Sequence, residues 1–152
     1  MSFFDSIKKM GKDASSKLAG EVSKFKNKDF LHAVISGCAL VAASDGSISS
    51  AEKQKMLGFI SNSDELKVFD AGEVIEIFNK TISKFEFDYE IGKAEALKVI
   101  AKIKNDTAAS KLMIRVCCAI GASDGNFDAA EKNVVRIICR ELGVDEAEFD
   151  MK

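Results

Sequence analysis

Apolar residues recur along this chain at intervals of three and four, the spacing that lines one face of an α-helix. Leu31, Val34, Ile35, Cys38 and Val41 form one such stripe, with Asp29 as the expected cap ahead of it. After the polar stretch Ser44-Asp45-Gly46-Ser47, Ser49 stands three residues before Glu52. That is the capping-box spacing, and it predicts a helix carrying Met56, Leu57, Phe59 and Ile60 until a break at Asn62 and Ser63. Asp70 and Glu73 repeat the pattern ahead of Val74, Ile75, Ile77, Phe78, Ile82 and Phe85.

From Phe85 to Ile91 apolar and acidic residues alternate, a period that also suits a strand. The stretch is short and has no partner of matching pattern, so a tight interhelical connection is expected. Its aromatics would plug the core, and Asp88 would cap a helix reaching to about Lys104. Asn105 or Asp106 opens the next helix, through Leu112, Met113, Val116, Cys117 and Ile120. Asp128 caps a further one over 129–142 that Gly143 stops, and a last turn from Asp145 brings Phe149 back to the body. The pattern predicts an all-α, single-domain bundle of about seven helices.

Composition strengthens the helical reading. The chain has 152 residues, one domain's worth, and no proline. Average usage of about 5% would supply roughly seven or eight, so nothing here interrupts a helix. Charge divides the chain in two. The net charge of −2 conceals residues 1–28, with seven lysines against Asp5, Asp13 and Glu21 (+4), and residues 29–152 at −6. A basic arm thus precedes an acidic body, the reverse of a nucleic-acid-binding domain, whose basic patch should lie on the folded part, and no nucleic-acid partner is expected. The arm carries Phe4, Ile7, Leu18, Val22 and Phe25 along one side, although Gly11 and Gly20 weaken it as one helix. Its apolar stripe would pack on the body, or, with Phe3, Phe4, Ile7, Lys8, Lys9 and Lys12, contact an anionic membrane or a partner.

No stretch approaches the roughly 20 apolar residues that span a bilayer, and no signal-peptide pattern opens the chain. Cys38, Cys117, Cys118 and Cys139 lie in apolar helical stretches without CxxC or CxxH spacing. They read as reduced, buried thiols. The expected location is the cytoplasm, with a peripheral place on the inner face of the membrane left open. His32 has no second His or nearby Cys at ligand spacing. A phosphate-binding glycine loop and a G-x-S-x-G elbow are both missing from the sequence, so no enzymatic activity is expected. The acids Asp64, Glu65, Asp70, Glu73 and Glu76 form a dense run that suits a solvated face with caps or an extension of a cation-binding surface.

The strongest internal signal is a repeat at an offset of 79 residues. Ala43-Ser44-Asp45-Gly46 matches Ala122-Ser123-Asp124-Gly125, and Ala51-Glu52-Lys53 matches Ala130-Glu131-Lys132. Cys38 falls on Cys117, Val34 on Met113, Val41 on Ile120 and Ile48 on Phe127. Residues 38–60 and 117–139 therefore predict two pseudo-symmetric helix-loop-helix hairpins. Each keeps the acid and glycine at positions 5 and 6 of an EF-hand loop, the apolar residue at 8 and the acid at 12. Positions 1 and 3, where more oxygens belong, are Val41 and Ala43, then Ile120 and Ala122, so an intact EF-hand is excluded. Asp45 with Glu52, and Asp124 with Asp128 and Glu131, remain candidate ligands for a divalent cation, with water, backbone or other acids completing the shell. Turn and cap roles compete: glycine permits the turn, Ser49 or Asp128 caps, and Glu52 or Glu131 sits near a helix's positive end.

Taken together, these blocks resemble the TerB family of tellurite-resistance proteins over essentially the whole length. The matching stretches are Met1 to Asp5, Phe25 to Leu31, Ala42 to Gly46, Glu52 to Met56, Glu65 to Asp70, and Ser123 to Asp128 with Glu131-Lys132. The resemblance implies an all-helical fold and a non-enzymatic part in resistance to tellurite and related stresses. It also implies work beside a TerC-type integral membrane protein and other tellurite-resistance proteins. The acidic Asp-Gly positions would then bind metal, with calcium, magnesium or zinc as the divalent cation. A reading of another class is a thiol-dependent protein that reduces or sequesters tellurite. Adjacent Cys117 and Cys118 point about 100° apart on a helix and cannot easily pair with each other.

Overall fold

Asn27 has an extended backbone, and its side-chain oxygen accepts the Phe30 N–H at 2.8 Å, so the first helix begins one residue later. In the computed structural model, which describes residues 20, 27–44, 46, 48–62, 66–121 and 129–149, this helix is α1, Lys28–Ala42. Asp29, the expected cap, stands instead in the first turn, where its charge faces the helix's positive end. Asn and Asp cap equally well by type, and Phe30 and Leu31, just inside the first turn, are both buried.

The remaining elements are α2 (Ser50–Ser61), α3 (Ala71–Phe87), α4 (Tyr89–Ala101), α5 (Thr107–Gly121), α6 (Ala129–Leu142) and a 3-10 turn, Glu146–Phe149. Among the described residues there is no strand, and the protein is all-α. Asp70 caps α3 by accepting the Glu73 N–H at 2.9 Å. Asp106, rather than Asn105, caps α5 by accepting the Ala109 N–H at 3.0 Å. Helix α4 stops at Ala101, short of the expected Lys104, because Lys102, Ile103 and Lys104 each donate three residues back in tight turns.

The alternating stretch from Phe85 to Ile91 is helical on both sides of one residue. Asp88 ends α3 through its N–H to Lys84 O, 3.1 Å, and opens α4 by accepting the Ile91 N–H, also 3.1 Å. Phe85 is buried, and its ring centroid lies 6.0 Å from that of half-buried Tyr89. Phe87 does not plug the core as expected. It is 82% exposed, because two residues along a helix turn a side chain about 200° away.

The bundle is organised around α1, which packs against each of α2 to α6 and has eleven of its 15 residues buried. Ser36 shares a small pocket with Gly92, Ala96 and Val99, while Lys28 to Phe30 faces Lys102 and Ile103, so α1 and α4 run antiparallel. Phe30 and Ala109 line the same cleft, and Gly37 meets Met113 and Cys117, so α5 runs alongside α1 in the same sense. Helices α3 and α4 close against each other where a Cβ on Gly92 would lie 2.7 Å from Phe85 Cα and 2.8 Å from its N. At the far end α6 closes in a Schellman motif: Gly143 at φ +68° donates to Arg140 O, and Val144 donates to Cys139 O at 2.9 Å. The chain then folds back to bury Phe149 at 2% exposure, as the sequence predicts.

Two glycines in helices give opposite expectations. Gly92→Ala forces backbone against backbone and should destabilise the protein by about 2–3 kcal/mol. Gly58 has no atom within 4 Å of the position a Cβ would take. Gly58→Ala should therefore stabilise by about 0.5–1 kcal/mol, as helix propensity alone dictates. Urea unfolding of both variants checks this; equal midpoints would contradict the close α3–α4 contact.

Candidate functional site

The candidate site begins where α1 unwinds. Ala43 donates to Ala39 O, Ser44 to Val41 O and Gly46 to Ala43 O, at 2.9, 3.2 and 2.9 Å, winding the chain into a tight turn. Gly46 closes it at φ +95°, in the left-handed region that a glycine enters without cost. Ile48 then packs on the core, and the Lys53 N–H reaches Ser49 O at 2.9 Å, which puts Ser49 at the N-cap position of α2. Val41 is 2% exposed and Ala43 fully buried. The two EF-hand positions without oxygens therefore face the core and anchor the turn.

The candidate ligands are placed unequally. Asp45, Asp124 and Asp128 lie outside the described residues, as does the side chain of Glu52. Glu131 is described, half-buried in the first turn of α6. Phe3, Phe4, Ile7, Lys8, Lys9 and Lys12 of the arm also lie outside the described residues, as do Asp64 and Glu65. Within the acidic run, Asp70 is a cap and Glu76 pairs with Lys80 at 3.0 Å. Among the described residues no group of three or more His, Cys, Asp or Glu side chains is arranged to hold a metal ion. His32 is half-buried and stands in no such cluster.

Sequence spacing did not reveal that the cysteines converge. All four are free and buried, contributed by α1 (Cys38), α5 (Cys117 and Cys118) and α6 (Cys139). Cys117 Sγ donates to Val34 O at 3.5 Å. A hydrogen bond with Cys38, burial, and the proximity of Cys38 and Cys118 hold the Cys117 thiol well above the usual range. Burial first, then Cys139 and Cys38, raises Cys118 likewise. Cys139 is pushed up to about 12 by burial and by Glu146, Asp145 and Glu148 of the C-terminal turn. The thiolate is the nucleophile and the metal ligand, and this environment keeps Cys117, Cys118 and Cys139 protonated at neutral pH. The repeat held the one hint, since Cys38 and Cys117 occupy equivalent positions of two helices that touch.

The family model for tellurite resistance protein TerB matches residues 31–152. The chain belongs to the TerB family. A curated relative, the tellurium resistance protein TerB of an Alcaligenes species, is 46% identical over 116 residues, which is 76% of this chain and 95% of that protein. No solved structure matches the chain. The match runs from Leu31, within α1, through the 3-10 turn and includes the turn at Gly46 and all four cysteines.

The thiols of this TerB chain make a prediction about alkaline pH. A thiol whose folded value is raised favours the folded state below its unfolded value of 9.0, and that contribution fades as pH rises toward about 12. Folding stability measured by urea should fall across this window in the wild type and fall less steeply in Cys139→Ala. Parallel profiles would show that Cys139 does not titrate as its burial requires.

Proposed function

We propose that this chain is a non-enzymatic binding module of the tellurite-resistance system, acting in the cytoplasm beside a TerC-type membrane protein and other tellurite-resistance proteins. The observation that carries the reading is 46% identity, across 95% of its length, to a protein named for tellurium resistance. No described helix is long and apolar enough to cross a membrane. The absence of enzymatic chemistry is supported by the thiols: all four are buried, and Cys117, Cys118 and Cys139 are held protonated.

The binding element of this reading is the pair of Asp-Gly turns, with Asp45 and Glu52 at one and Asp124, Asp128 and Glu131 at the other as donors to a divalent cation. Carboxylates are hard oxygen donors, suited to calcium or magnesium and acceptable to zinc. The turn at Gly46 fits a cation only in part. Burial of Val41 and Ala43 removes two ligand positions, which leaves a carboxylate pair that needs water and backbone oxygens to reach six. Such a site binds weakly, with Kd on the order of 10⁻⁴–10⁻³ M. The matched bounds support treating the turns as a pair: α5 covers the positions 79 residues on from α1, and α6 starts 79 residues after α2.

Calorimetric titration of the full chain with calcium, magnesium and zinc tests the reading. The wild type should give saturable heat with at least one of them, and an Asp45→Asn/Asp124→Asn double variant should bind about tenfold more weakly or not at all. Identical traces for the two proteins would overturn the cation role.

A further inference from the structure

At the corner between α3 and α4 the surface departs from the rest of the molecule. Phe87 is 82% exposed and Ile91 48%, on either side of the single linking residue Asp88. The corner forces this, because Asp88 caps both helices and Phe85 takes the inward position. Exposed aromatics beside a second large apolar side chain mark contact sites. Carboxylates are interleaved with them: Glu86, Asp88 and Glu90 are all exposed, and Glu86 reaches Lys53 at 3.7 Å. The fitting occupant is a short segment with two or three apolar side chains and lysines.

We propose that residues 3–12 of this chain's own basic arm are that segment, docking in cis on the Phe87–Ile91 corner. Phe3, Phe4 and Ile7 supply the apolar side chains, and Lys8, Lys9 and Lys12 meet Glu86, Asp88 and Glu90. The arm carries +4 and the body −6, so attraction has the required sign. Reach follows from where the arm joins. Lys28 faces Lys102 across an open cleft of about 530 Å³, and Lys102 to Ile91 along α4 is about 17 Å at the helical rise. Gly20 is helical, and even wound wholly as helix residues 13–26 would span about 21 Å, enough to bring residues 3–12 to the corner. The tether holds the arm at an effective concentration on the order of millimolar, so a weak patch suffices. The inference does not depend on the cation reading above.

Trypsin cleavage of the full chain after Lys8, Lys9 and Lys12 tests it. In a Phe87→Ser/Ile91→Ser variant, cleavage at these sites should be about tenfold faster than in the wild type, with an unchanged melting temperature. Wild-type protection should be the same from about 1 to about 100 µM protein, as a contact in cis requires. If the serine variant melts lower, Phe4→Ala/Ile7→Ala replaces it and should speed cleavage equally from the arm's side. Equal cleavage rates in variant and wild type would overturn the proposal. So would protection that grows with protein concentration, which means a second copy, or protection that appears only on adding phosphatidylserine vesicles, which means a membrane.

Discussion

A Cβ on Gly37 would lie 2.6 Å from Cys117 Sγ and 2.7 Å from Met113 Cε, so α1 and α5 touch at a point where no side chain could be accommodated without movement. The Cys117 and Met113 side chains fill the space that a side chain at position 37 would take. With α5 on one flank, and Gly92 admitting Phe85 on the other side of α4, α1 can be enclosed by five helices. Its burial is then almost complete, and the apolar area removed from water along Phe30, Leu31, Val34, Ile35 and Leu40 is the largest stabilising contribution of any one helix. The remaining helices are amphipathic and lean on this central one.

That arrangement separates frame from function. Where α1 leaves the core, Val41 and Ala43 pin the last turn, and Gly46 reverses the chain so that the acid-bearing segment starts at the surface. The thiols stay on the frame side of this boundary. Buried among three helices, with Cys117, Cys118 and Cys139 raised far above neutral pH, they serve as compact apolar filling where α1, α5 and α6 meet. A chemistry that uses thiolate would have to open the core to reach it; a chemistry that uses carboxylate at the turns would leave the core intact.

Local features of this fold were legible in the sequence because each is decided within a few residues. Asp70, Asp88 and Asp106 cap as their spacing predicts, and Gly143 ends α6 as a C′ glycine. The misreadings lie where a distant contact decides. Asn27 and Asp29 are equally good caps by type, and the helix starts at the earlier of the two. The alternation from Phe85 to Ile91 could not show that Phe85 and Tyr89 face each other while Phe87 faces water, because that depends on where Asp88 breaks the helix. The thiol cluster was hidden because its members come from three separate helices. For the candidate site, the repeat was the informative signal: it singled out both Asp-Gly segments, and at the first of them Val41 and Ala43, which carry no side-chain oxygen, are buried.

The account stands on α1 as the central support from which the turn at Gly46 departs. Native-state hydrogen exchange under increasing denaturant measures this directly, amide by amide. The amides of Leu31 to Val41 and of Leu112 to Cys118 should exchange only through global unfolding, at the free energy of the whole protein. The amides of Ser44 and Gly46 should open locally at a much lower free energy. Exchange of the α1 amides at or below the free energy of the turn would contradict the central role assigned to this helix.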